Sequence, residues 1–182
     1  MWFLLLLLVP QVEIGPCAPA TDAVRIEVRA WPGPGAREAR LAMWREFVRG
    51  ARKICFAGPA EAESADMRAL RETAGVITRN QALFAPLAPR AMGNETLTIE
   101  PAGAVRVHIL ESRDAMAIVA LNESPQTRRV KLTFPLSIPE AIWQDMEAGR
   151  AVHFVMEKDG PAYTHTFAGH DVLVLAIRKT LR

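Results

Sequence analysis

Few residues in this 182-residue chain pair a reactive side chain with a spacing that chemistry requires. The four histidines, His108, His153, His165 and His170, all fall in the second half. His165 and His170 flank a turn at Gly169, and neither a cysteine nor a tight acidic cluster joins them. Zinc sites group their ligands more closely, so no metal site is predicted. A phosphate loop, a dinucleotide fingerprint and a Gly-x-Ser-x-Gly elbow are all missing, and no cofactor is expected. Two glycosylation-type triplets, Asn94-Glu-Thr96 and Asn122-Glu-Ser124, are short patterns with many chance matches. Glu27 stands between Arg25 and Arg29, which by itself reads as a solvated strand carboxylate. Trp31 offers a flat indole face, for stacking or for packing beneath a turn.

The elements that position Glu27 and Trp31 run from Val24 to Gly58. Val24 to Trp31 mixes β-branched residues with charge, and Trp31-Pro-Gly-Pro-Gly35 is dense turn punctuation. From Ala36 to Ala51, residues Leu41, Trp44, Phe47, Val48 and Ala51 recur at three- and four-residue steps, the apolar face of a helix. Gly50 stands where a left-handed C-cap belongs, and Lys53 to Ala57 reads as a short buried strand. The prediction is one βαβ unit with a parallel pair, whose faces need cover from elsewhere. Expressed alone, residues 21–90 are expected to self-associate or dissolve poorly. Cys55 in that strand reads as a buried small hydrophobe, since two cysteines are too few for a disulfide framework.

The run Glu27…Trp31-Pro32-Gly33…Met43-Trp44…Gly50-Ala51-Arg52…Phe56 resembles the last part of a glycoside-hydrolase (β/α)₈ barrel, with the barrel β-galactosidases and related bacterial glycosidases as the nearest likeness. The resemblance continues through Val76 to Arg90 and into a C-terminal β-domain, over roughly residues 24 to 180. It implies carbohydrate as the ligand class, Glu27 as the strand-end nucleophile and Trp31 as a sugar-stacking platform. Val28-Arg29-Ala30 departs from the polar residues that the pattern would carry there. Glycoside hydrolysis needs two carboxylates across the scissile bond, and such barrels place the acid/base Glu on an earlier strand. The Asn-Glu pairs of this chain, Asn94-Glu95 and Asn122-Glu123, both follow Glu27 and fall in turns of the β-domain. An eight-strand barrel takes some 200 residues or more, so a complete hydrolase site within this chain is not expected.

Composition bounds the remaining choices. With 22 basic and 20 acidic residues the net charge is +2, which leaves no electrostatic footprint for nucleic acid. Trp2 to Val9 is far shorter than a membrane span, so none is predicted. Residues 1–20 read as a signal peptide, with Ala18-Pro19-Ala20 as the cleavage pattern, or as a truncated strand. The first reading sends the protein to a secreted or periplasmic location, the second leaves it cytoplasmic. Ala65 to about Ala85 carries a helical stripe (Met67, Leu70, Ala74, Ile77, Phe84), with Asn80 and Gln81 facing solvent or a sugar. Ala85 to Asn94 marks a boundary. Beyond it, seven short alternating segments separated by turns predict an antiparallel β-sandwich over 91–182. Val105, Val107 and Ile109 alternate with Arg106 and His108, so one face there is expected to be wet, and Val172 to Ile177 reads as a central strand.

The expected fold class is therefore α+β: a βαβα segment over 21–90, resembling the end of a glycosidase barrel, followed by the sandwich. Two functions remain open. One is the C-terminal portion of a glycoside-hydrolase-like protein, inactive unless a missing barrel segment or a second protomer completes the site. The other is a non-catalytic sandwich module for carbohydrate binding or packing, with Trp143 and Tyr163 as the aromatic candidates.

Overall fold

The computed structural model of the chain describes residues 13–16, 24–27, 35–57, 65–92, 95–139 and 141–179. Its first sheet is parallel. β1 (Glu13–Pro16) and β2 (Val24–Glu27) both pair with β3 (Lys53–Ala57), which lies between them. β2, α1 (Gly35–Val48) and β3 form the strand–helix–strand unit that the sequence predicts. α1 ends at Gly50, whose φ of 100° suits glycine. The Gly50 N–H donates to the Phe47 carbonyl at 3.0 Å and the Ala51 N–H to the Glu46 carbonyl at 3.1 Å, the paired bonds of a Schellman cap. Cys55 is buried as expected, but it is held in a disulfide rather than free.

The second helical stretch is broken. α2 (Ala65–Arg79) stops at Asn80, and α3 (Gln81–Phe84) follows. The Asn80 side-chain amide donates to the Val76 carbonyl at 2.9 Å, a local bond that competes with the helical ladder. That amide, weighed as a sugar contact, is engaged with its own helix.

Two antiparallel sheets follow. One joins β10 (Arg150–His153), β9 (Ile142–Asp145), β13 (Asp171–Arg178), β7 (Ala115–Asn122), β6 (Arg106–Glu111) and β4 (Ala88–Pro89), in that order. The other joins β11 (Val155–Glu157), β12 (Gly160–Phe167), β8 (Arg128–Thr133) and β5 (Thr98–Glu100). The sandwich and the central place of β13 match expectation. Within the boundary segment, Ala88 and Pro89 pair with Glu111 and Leu110 of β6. Val152 to Glu157, expected as one strand, divides at Phe154 so that β10 and β11 enter different sheets.

β7 shows how the layers assemble. All eight of its residues are buried, because its sheet is covered on both sides. Ala117, Val119 and Leu121 pack with Trp44, Phe47 and Phe84 of the helical layer. Met116, Ile118 and Ala120 pack with Leu132, Phe134 and Phe167 of the second sheet. Three layers result where a two-layer sandwich was expected. The face of β6 expected to be wet is thereby partly covered. Leu110 is buried in the helical layer, and half-buried His108 has its pKa lowered, first by burial and then by Arg106.

Candidate functional site at the strand end and the helix seam

Glu27 is the last residue of β2, in register with Ala57 at the end of β3. The two strands run parallel, so Glu27 occupies the carboxyl end of the sheet, where parallel α/β architectures gather their ligands. Trp31 lies outside the described residues.

A second group of polar side chains, invisible to the sequence reading, meets where α1 docks on the six-stranded sheet. Arg40 and Trp44 stand four apart on α1, hence on one helical face. Arg40 pairs with Glu147 at 3.0 Å and also with Asp171. The Trp44 indole N–H donates to the same Glu147 carboxylate at 2.7 Å. Glu38 faces His170 at 3.4 Å, and His170 takes a left-handed conformation (φ 50°) in the turn before β13. Glu147 follows β9 in a tight turn held by Asp145, whose carboxylate accepts from the backbone N–H of Glu147 and of Ala148 at 3.2 and 3.0 Å. Asp171 caps its own turn by accepting from the Ala168 N–H at 3.1 Å. Two sandwich turns thus grip one helix.

Burial dominates the electrostatics of this seam. It pushes the Glu147 carboxyl above its ordinary pKa, with Arg40 and the Trp44 hydrogen bond acting in the opposite direction. His165, on β12 beside the seam, is pushed down by burial, against the pull of Asp171 and Asp145. The carboxylates are held by arginine and by backbone donors, which suits them to fastening layers. Among the described residues, no group of three His, Cys, Asp or Glu side chains could hold a metal ion, and no helix is long and apolar enough to cross a membrane. The sequence held no signal for the cluster, since Arg40 and Asp171 are 131 positions apart.

The aromatic candidates of the sandwich are spent elsewhere. Trp143 is fully buried, and Phe154 stacks on both Trp143 and Phe134, with centroids 5.3 and 5.1 Å away. Tyr163 packs partly buried against the same cluster. Neither stands in an exposed row that a sugar could lie on. Asn122, one of the two glycosylation-type asparagines, is fully buried. Its amide donates to the carbonyls of Gln126 and Ala168 at 2.9 and 2.6 Å, so it is a corner anchor and not a glycan acceptor.

No family model matches the chain, and no curated protein matches it by sequence. Solved structures do. α-Galactosidase I from Mortierella vinacea aligns with a TM-score of 0.53 at 10% identity, covering 82% of this chain and 38% of that one. A GH27 β-L-arabinopyranosidase from Geobacillus stearothermophilus gives 0.54 at 11% identity, covering 80% and 30%. An α-amylase from Geobacillus thermoleovorans, solved with acarbose, gives 0.53 at 12%, covering 80% and 34%. The chain therefore spans about a third of the length of each of these glycoside hydrolases and shares the fold of that part.

Proposed function

We propose that this chain is the carboxyl-terminal portion of a glycoside-hydrolase-like protein acting on carbohydrate, and that it is catalytically inactive by itself. The observation that carries the reading is the fold likeness, which takes in four-fifths of this chain and only about a third of α-galactosidase, arabinopyranosidase and α-amylase structures. The finer likeness, to barrel β-galactosidases, rests on the sequence pattern from Glu27 to Phe56. In this reading Glu27 is the strand-end nucleophile and Trp31 the stacking platform. The acid/base carboxylate and most of the barrel would come from another segment or protomer, because one carboxylate cannot both attack and protonate the leaving group. Export by the apolar Trp2 to Val9 run belongs to the same proposal, in competition with the truncated-strand reading of residues 1–20, which the pairing of β1 with β3 supports.

A panel of nitrophenyl glycosides, given to the purified chain and to Glu27→Gln, tests the reading. Neither protein is expected to release nitrophenol above background. Release by the parent chain that vanishes in the variant would mean that a complete site forms, and the inactivity would be refuted.

A packing form of the accessory-module reading has one observation in its favour. The helical layer covers the β7 and β13 centre of one face of the six-stranded sheet, and the sandwich aromatics lie in its core. Under that reading Glu27→Gln would change neither activity nor sugar binding in the completed protein.

A further inference from the structure

Where the 101–105 loop meets the turn between β7 and β8, a cleft of about 320 Å³ opens to solvent. That volume lies at the small end of the ~300–1,000 Å³ that ligand sites usually span. Arg106, Glu123, Ser124 and Arg128 are the polar side chains of its wall, and none of them belongs to β2 or to the charged margin of the helix seam.

The turn that carries Ser124 is fixed from within the chain. The Asn122 side chain accepts from the Ser124 N–H at 3.1 Å and donates to the Gln126 carbonyl at 2.9 Å, and the His170 N–H donates to the Ser124 carbonyl at 2.9 Å. The Ser124 hydroxyl accepts from the Gln126 N–H at 3.1 Å, which leaves its own proton available to donate.

Arg128, the first residue of β8, is a cation that the fold leaves uncompensated. It is half-buried, yet among the described residues no carboxylate pairs with it, and its side chain donates only a long bond of 3.5 Å to the Gln126 amide oxygen. Its Nε is buried without a partner and out of a ligand's reach, so the terminal nitrogens are the ones that could meet a ligand. A guanidinium partly withdrawn from water with no counter-charge costs free energy that an anion would recover.

Arg106 lines the same cleft from β6 and pairs with Glu123 at 3.2 Å. The two side chains of that pair are 57% and 34% exposed, so the pair is weak and yields readily. Two guanidiniums against one carboxylate leave the wall with an excess of positive charge. The field extends to His108, whose pKa is lowered by burial first and then by Arg106, with Glu123 opposing and Arg49 adding to the lowering. Two planar guanidinium forks and a hydroxyl are three separate donor groups. A carboxylate offers them two oxygens, and a phosphoryl group offers three in a tetrahedral array.

We propose that this cleft binds a phosphoryl group, as free phosphate or at the end of a small monoester. The site is independent of the carbohydrate reading, and either can fail without the other.

The test titrates the full chain with inorganic phosphate and with phenyl phosphate, beside succinate and chloride at matched ionic strength. Binding is followed by calorimetry and by protein-observed NMR. At least one of the two phosphates is expected to bind saturably, perturb the resonances of Ser124 and Arg128, and exceed succinate in affinity by about tenfold. Whichever phosphate binds more tightly identifies the source, free ion or ester. Arg128→Gln should weaken binding about tenfold, and Arg106→Gln about three- to tenfold, the loss of charged hydrogen bonds. Arg106 is exposed, so its variant keeps the fold and carries the test if Arg128→Gln unfolds. Glu123→Gln should tighten binding, because it frees Arg106 and removes the opposing charge, a gain that a merely structural role would not produce. Absence of saturable binding by either phosphate, an equal response to chloride, preference for succinate, indifference to Arg106→Gln, or weaker binding in Glu123→Gln would overturn the assignment.

Discussion

The centre of the six-stranded sheet, β7 and β13, is buried on both sides, yet its two seams are built differently. Toward the second sheet, rings lie nearly parallel: Phe154 is tilted only 20° from Phe134 and 22° from Trp143. Toward the helices, Trp44, Phe47 and Phe84 meet edge to face, with centroids 5.5 to 5.8 Å apart. The helix seam carries a charged margin, in which Arg40, Glu147, Asp171, Glu38 and His170 join the layers. Within each sheet the cross-strand ladder fixes which side chains stand together, but the two sheets are not paired to each other, so stacked rings set how they approach. At the helix seam, directional contacts at the margin set angle and depth, and ion pairs and an indole hydrogen bond supply them. The sheet seam is specified by its rings, the helix seam by its edges.

Replacing one tryptophan in each seam gives the largest effect. Trp143→Ala and Trp44→Ala should each cost about 3–5 kcal/mol. If the seams are as distinct as their chemistry, Trp143→Ala lowers one cooperative urea transition. Trp44→Ala should instead split it, with hydrogen exchange rising first in α1. A single shared transition in both variants would erase the distinction.

Gly160→Ala probes the sheet side without touching a ring. Gly160 has φ 136°, and an added Cβ would stand 2.0 Å from the Phe134 carbonyl oxygen. A loss of about 2–3 kcal/mol in urea unfolding is expected, from backbone strain and the forced shift. On the helix side, Arg40→Ala leaves Glu147 with its indole bond and no cation. The expected loss is about 1–3 kcal/mol, less than for a fully buried pair because both side chains keep some contact with water.

The pH profile sharpens the comparison further. Glu147 binds its proton more tightly when folded, so its contribution is fully present below the ordinary carboxylate range and is lost as pH rises through the raised value. His165 behaves in the opposite way. Its contribution is present above the ordinary imidazole value of 6.5 and is lost as pH falls from there through the lowered value. Melting temperature against pH should therefore flatten on the carboxylate side in Glu147→Gln and on the imidazole side in His165→Gln. A profile unchanged by either would detach both groups from stability. The smallest effect is expected at Leu136, which is 71% exposed: Leu136→Ser should change stability by no more than about 0.5 kcal/mol.

How much of this was legible in the sequence depended on range. Alternation along Val105 to Glu111 and the continuous apolar run Val172 to Ile177 gave strands close to those observed, because both patterns are local properties. Gly50 marked the end of α1 for the same reason. The unbroken apolar run Ala115 to Leu121 carried the three-layer answer, since a strand apolar at every position has no wet face. It passed as an ordinary strand. The break at Phe154 was obscured by the turns that a chain leaves when it changes sheets. The charged margin was out of reach altogether. Arg40, Glu147 and Asp171 are unremarkable singly, and only the fold brings them together.

One consequence follows from the two residues of β4 and the helix behind them. A protein cut at Ala91 to isolate the sandwich would lose the strand that covers the outer edge of β6. It would also bare Val119, Leu121 and Val174 to water. An open edge beside an apolar face is a template for sticking to other chains. The sandwich is therefore not a transplantable part: in engineering or in gene rearrangement it must travel with α1 and the segment through Pro89, or it will aggregate.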